Sequence, residues 1–262
     1  MSFSVNHYPT QAQSKDVKDN LEKADRLYAN SKLEDARTLY KQCAASLSPE
    51  QQIKLGIAYL ATANGKQELL AEGINWFEKS ASEGSTEAMN YLAHCYGNGI
   101  GVSRDRKQEV HWLTKSADKG DNAALFVLGL RYQAGLGVTE NQEKAYELFR
   151  LSADKGNAQA AYYVSATNRF ENPGTDTWYW LKKSAKGGYV PGMLQLGKLY
   201  EETGETDEAV RWYTAIAKTE GNDVEHQVAA KRKKAIGKLE PSTDINTVKP
   251  QLLKLLSSAA NN

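Results

Sequence analysis

Part of this chain repeats itself with a register of 36 residues. Residues 87–120 read EAMNYLAHCYGNGIGVSRDRKQEVHWLTKSADKG, and residues 121–156 follow at once as DNAALFVLGLRYQAGLGVTENQEKAYELFRLSADKG. Alignment puts Leu92 on Leu128, Tyr96 on Tyr132, Gly99 and Gly101 on Gly135 and Gly137, Trp112 on Leu148, and Ser116–Gly120 on Ser152–Gly156. A period of this length marks a unit that cannot bury its apolar side alone and must stack on copies of itself.

The same columns continue on both sides. A large, mostly aromatic column in the second helix of each unit (helix B) runs Trp76, Trp112, Leu148, Trp180, Trp212, in steps of 36, 36, 32 and 32. In the first helix (helix A) an apolar column runs Leu55, Leu92, Leu128, Val164, Leu196, and the position after it is small: Gly56, Ala93, Gly129, Ser165, Gly197. A small residue there lets helix B approach closely, which offsets its cost in helix propensity of about 1 kcal/mol for glycine. Four residues beyond the apolar column stand Tyr59, Tyr96, Tyr132, Asn168 and Tyr200, so the fourth unit departs from the pattern. Gly84, Gly120, Gly156 and Gly188 close the B helices, and Ser85, Asp121 and Asn157 directly after them are N-cap residues for the next helix.

The pattern A-x-x-x-L-G-x-x-Y, then G-x-G-V, then W-x-x-K-S/A-A-x-x-G, resembles the Sel1-like repeat, a relative of the tetratricopeptide repeat, over residues 50–222. The resemblance implies an all-α fold, a right-handed α/α superhelix (solenoid) of Sel1-like and tetratricopeptide-like helical hairpins used to hold proteins together. It implies no chemistry and no cofactor, because function lives in sites and not in folds.

On this reading residues 1–16 are a mobile polar lead-in and order begins near Val17. Residues 17–48 form a tetratricopeptide-like hairpin, 49–222 five Sel1-like repeats, and 223–240 a C-terminal capping helix. A linker and the leucine-rich segment at 250–256 make up residues 241–262. No domain boundary is expected within residues 50–222.

With 33 basic and 32 acidic side chains the net charge is +1, which argues against a nucleic-acid or membrane-surface binder. The first residues hold no apolar signal core, and no later run is long enough to span a membrane. The two cysteines, Cys43 and Cys95, lie in different units and read as reduced thiols. Together these point to the cytoplasm.

Several motifs invite a chemical reading. Ser-x-x-Lys occurs at Ser116–Lys119 and Ser152–Lys155, the spacing of serine β-lactamases, an activity claimed for some cysteine-rich relatives. Both copies lie in the repeat register, and neither Ser-Asp-Asn nor Lys-Thr-Gly completes the set. His7, His94, His111 and His226 form no metal-ligand spacing. Gly-x-Gly-Val joins two helices rather than a strand to a helix, so it is a weak phosphate-loop signal. Lys231-Arg232-Lys233-Lys234 is the one charge cluster. It reads as a solvated helix face, with an acidic partner or nucleic acid as the alternative.

If the units stack as tetratricopeptide repeats do, the A helices line a concave groove. Its columns are Ile53, Ile57 and Leu60; Asn90 and His94; Phe126, Leu130 and Gln133; Tyr162, Arg169 and Phe170; Leu194, Lys198 and Glu201. Apolar and aromatic with a few polar handles, the strip suits a peptide or protein segment. The competing expectation is that Phe126, Leu130 and Tyr162 only contact the adjacent repeat. A non-catalytic protein-interaction scaffold or adaptor is therefore the function expected.

Overall fold

The structure is a computed structural model. It describes residues 11–171, 175–221 and 223–237, with side chains for 15–167, 177–221 and 223–237. Among these residues there are thirteen α-helices and no strand. In chain order they are α1 (Gln11–Ala29), α2 (Leu33–Gln42), α3 (Pro49–Ala61), α4 (Gln67–Ser82), α5 (Thr86–Asn98), α6 (Arg106–Asp118) and α7 (Asn122–Ala134). Then come α8 (Gln142–Asp154), α9 (Ala158–Glu171), α10 (Thr175–Lys186), α11 (Val190–Thr203), α12 (Thr206–Ile216) and α13 (Val224–Ile236). None of the described helices is long and apolar enough to cross a membrane.

The chain divides into two compact units, residues 1–140 and 141–262. The division falls inside the third copy, between its A and B helices. Periodicity registers what each copy must bury and is blind to how tightly the copies cluster. In the first unit α1 through α7 pack successively on one another, and in the second α8 packs on α9 and the sequence continues to α13. Helical hairpins thus stack in chain order within each unit, as in an α/α solenoid. Order starts earlier than expected, since α1 begins at Gln11 rather than near Val17.

Start and stop signals work as the sequence suggests. Ser48 caps α3 in a reciprocal capping box with Gln51, and Pro49 sits at the first helical position. Ser85, Asp121 and Asn157 each accept from the backbone N–H three residues on. The closing glycines Gly84, Gly120, Gly156 and Gly188 have φ of 97°, 83°, 97° and 83°. Around each, the residue after the glycine donates back to a serine carbonyl: Ser85 to Ser80, Asp121 to Ser116, Asn157 to Ser152 and Tyr189 to Ser184. That six-to-one bond satisfies a carbonyl the helix end would orphan, and the cap then starts the next helix one residue later.

The deepest B-helix column is one residue beyond the tryptophans. Tyr40, Phe77, Leu113, Phe149, Leu181 and Tyr213 are all buried. They fill the space opposite the small A-helix column: a Cβ on Gly56 would lie 2.5 Å from the Phe77 ring, and one on Gly197 the same distance from Tyr213. The tryptophans sit at the rim of this core. Trp76, Trp112 and Trp212 are half-buried and only Trp180 is buried. Three of them carry the lysine three residues on above the ring, Lys79 at 5.1 Å, Lys115 at 4.6 Å and Lys183 at 4.7 Å from the ring centre. Where Leu148 replaces tryptophan, Leu151 replaces the lysine.

The second glycine of each G-x-G packs on the preceding unit. A Cβ on Gly101 would meet the Leu70 carbonyl at 2.9 Å, and one on Gly137 the Arg106 carbonyl at 2.2 Å. These loops are helix-to-helix spacers.

Candidate protein-interaction face

The interaction face expected from the sequence would lie along one stripe of successive A helices. In α5 the buried positions are Ala88, Met89, Leu92, Ala93 and Cys95, which leaves Asn90 and His94, four residues apart, on another side of the helix. In α7 the buried set is Ala124, Leu125, Leu128 and Gly129, and Phe126, Leu130 and Gln133 are half-buried. In α3 Ile57 and Leu60 are half-buried, and both pack against the core shared by α3, α4 and α5. The first unit therefore presents Ile57, Asn90, His94, Phe126 and Leu130 at equivalent register positions of three A helices.

Other members of the expected groove are used inside the protein. Ile53 and Leu194 are core residues, 3% and 8% exposed. Asn90 donates a 3.1 Å hydrogen bond to Oδ1 of Asp121, the cap of α7, and its own Oδ1 is shielded from solvent, so it links neighbouring repeats. Tyr162 lies against the second unit's core, with edge-on rings at Tyr163 (6.2 Å) and Tyr189 (5.5 Å). Lys198 is half-buried, and burial together with the nearby Arg232 charge pushes its ammonium pKa down. The side chains of Arg169 and Phe170, like the segment at 250–256, lie outside the described residues.

Glu201 is 5% exposed and belongs to a three-helix clip. Its Oε1 accepts the Tyr213 phenol at 2.6 Å and its Oε2 accepts the Arg232 guanidinium. This corrects the expected basic face: Lys231, Lys233 and Lys234 are exposed, but Arg232 turns inward and is neutralised. Helical geometry is the reason, because residue 232 falls on the same side of α13 as the buried Ala229, Ala235 and Ile236. Two further buried or half-buried carboxylates do similar work. Asp25 accepts from Tyr40 (2.7 Å), Gln51 (3.0 Å) and Lys54 (2.9 Å). Glu109, 3% exposed, takes Arg131 on one oxygen and Arg106 on the other, each at 2.6 Å. Sequence reasoning missed Asp25 and Glu109 and placed Glu201 in the groove; for Glu109 the available signal is an acidic residue four positions before Leu113 and seven before Ser116, on the buried side of α6.

The serines of the Ser-x-x-Lys motifs are fully buried. Ser116 Oγ donates to the Thr86 carbonyl at 3.4 Å, as Ser80 does to Pro49 at 2.9 Å, so the hydroxyl ties the end of helix B to the first residue of helix A. Cys43 and Cys95 are buried, unpaired thiols, and burial pushes Cys95 up to about 11. His94 and His111 are exposed, and His226 is held by Asp223 at 2.6 Å. Among the described residues no cluster of histidine, cysteine and carboxylate side chains has the arrangement to hold a metal ion.

Comparison with known proteins agrees with this anatomy. The Sel1 repeat profile matches residues 52–85, 86–121, 122–157 and 177–189. No curated protein matches the sequence significantly. The crystal structure of a Sel1 repeat protein from Oxalobacter formigenes superposes with a TM-score of 0.66 at 21% identity, covering 92% of this chain and 99% of that one. The crystal structure of c5321, described as a protective antigen present in uropathogenic Escherichia coli strains and displaying an SLR fold, gives 0.55 at 22% identity. That alignment covers 95% of this chain and 62% of c5321. Sel1-repeat proteins are generally scaffolds for protein–protein interaction and typically non-catalytic. The repeat matches and the helical hairpins in register show that this chain carries Sel1-like repeats.

Proposed function

We propose that the chain is a non-catalytic scaffold that grips a polypeptide segment along the A helices of its first unit, with Ile57, Asn90, His94, Phe126 and Leu130 as the contact strip. The observation that supports this most is the register: these side chains recur two residues either side of a buried apolar column in α3, α5 and α7, yet stay partly or fully open. An extended or helical segment laid across the three helices would meet an apolar strip with the His94 imidazole to fix its direction. Arg232 being tied to Glu201 weakens the rival reading of a basic patch for acidic partners or nucleic acid. The free thiols of Cys43 and Cys95 favour a reducing, cytoplasmic setting for the same role.

The experiment is affinity capture from a lysate of the source cell with the full chain, His94→Glu combined with Leu130→Ser, and a triple variant Lys231→Ser, Lys233→Ser, Lys234→Ser. The proposal expects a partner retained by the wild type and the triple lysine variant and lost from the double variant, at unchanged helicity. Retention by the double variant and loss from the lysine variant would assign binding to α13 instead.

A further inference from the structure

The second unit contains a cavity that the scaffold role does not use. It has a volume of about 220 Å³ and lies between α9, α10 and α11, lined by Tyr162, Ser165, Ala166, Thr177, Leu181, Gln195 and Leu199. Most of its wall is apolar. Proteins leave few voids larger than a water molecule, and an apolar cavity of about 150 Å³ holds a benzene ring. This one is larger.

Its polar groups are unequal. Ser165 Oγ is already committed, donating to the Tyr162 carbonyl at 2.7 Å. Thr177 Oγ1 is shielded from solvent and has no hydrogen-bond partner among the described residues. A buried hydroxyl without a partner is costly and uncommon, so such a group in a cavity wall asks for an acceptor inside the cavity. The location is also the one where the repeat breaks its own rules. The small column carries serine at Ser165, where three of the other four copies carry glycine, and the tyrosine column carries Asn168.

We infer that the second unit binds a small aromatic molecule bearing a single hydrogen-bond acceptor, with its ring between Tyr162, Leu181 and Leu199 and its acceptor on the Thr177 hydroxyl. An aryl ketone of nine or so non-hydrogen atoms matches the volume and needs only a donor in return. Water filling the cavity is the competing occupant, and it would satisfy Thr177 without any preference for a ring.

Acetophenone and ethylbenzene are the probes, nearly equal in size and differing in the acceptor. Titration of each into the full chain, followed by protein-observed NMR and by thermal shift, should give saturable binding of both, with acetophenone the tighter. Thr177→Val should weaken acetophenone about fivefold, the worth of one ordinary hydrogen bond, and leave ethylbenzene unchanged. Ala166→Met fills the cavity and should abolish both while preserving helicity, and Leu199→Phe does the same from the opposite wall. Absence of saturable binding, equal affinity for the two probes, or binding that survives both filling variants overturns the inference. So does unfolding of both filling variants, since a site without spare room is not a cavity.

Discussion

Tyr213 in α12 donates its phenolic hydrogen to Glu201 in α11 at 2.6 Å, and the same carboxylate receives Arg232 from α13. Near the other end of the chain Tyr40 in α2 donates to Asp25 in α1 at 2.7 Å, and Asp25 also receives Lys54 from α3. Tyr40 and Tyr213 occupy the same register column, whose other members are the apolar Phe77, Leu113, Phe149 and Leu181. Both clips join three successive helices through one carboxylate. Burial and the bond to the carboxylate push each phenol's pKa well up, so both tyrosines stay protonated donors.

Removing Arg232 leaves the buried Glu201 carboxylate with its phenol alone. Arg232→Met should lower stability by about 2–3 kcal/mol in urea unfolding. Substitution of the exposed Lys231, Lys233 or Lys234 should each stay within about 0.5 kcal/mol of wild type. Equal effects across the four positions would contradict the inward orientation of Arg232.

Gly65 and Gly137 both have φ of 79°, but they differ in surroundings. A Cβ on Gly65 meets nothing within 4 Å, whereas one on Gly137 would lie 2.2 Å from the Arg106 carbonyl. Gly65→Ala should therefore cost about 1 kcal/mol, the left-handed strain alone. Gly137→Ala adds a clash with backbone and should cost about 3 kcal/mol or more. Thermal melts of the two variants make the comparison.

The tryptophan–lysine stacks are rim features. Lys115→Gln should cost about 0.5–1 kcal/mol, the value of an exposed cation–π contact, and Trp112→Ala about 3 kcal/mol or more. A lysine variant as damaging as the tryptophan variant would mean that the ammonium has a buried role.

Acid should loosen the first clip. Burial pushes the Asp25 carboxyl up, but the hydrogen bonds from Lys54, Tyr40 and Gln51 outweigh it and hold the pKa below the ordinary 3.8. A carboxyl with a depressed folded pKa contributes stability that is present above its unfolded value and is lost as the pH falls through the folded one. Lys54 has the opposite sign: its pKa is raised above 10.5, so its share is lost only as the pH rises past that. Urea midpoints at pH 5 and pH 3 should therefore fall more for wild type than for Asp25→Asn.

The repeated features of this fold can be read in the sequence because each copy must solve the same packing problem. Gly84, Gly120 and Gly156 end helices, and Ser85, Asp121 and Asn157 start them, in every regular copy. Features that serve a single copy leave no period. Glu109, Glu201 and Asp25 each appear once, and a lone acidic residue in a helix looks like surface until its partners on other helices are seen. The deeper column lies one residue beyond the tryptophans, and its varied tyrosine, phenylalanine and leucine hide a position that the recurring tryptophan does not. Of the expected groove, the positions of α5 and α7 that lie off the buried set follow from helical phase. Ile53, Leu194 and Glu201 turn inward because neighbouring units cover them, which one helix's period does not encode.

The central claim is that the A helices of the first unit hold a partner. Once a partner is captured, hydrogen–deuterium exchange on the free and bound protein tests it directly. The account predicts protection concentrated in α5 and α7 around His94, Phe126 and Leu130, with the B helices α4 and α6 unchanged. Protection confined to α4 and α6, or to α13, would contradict it.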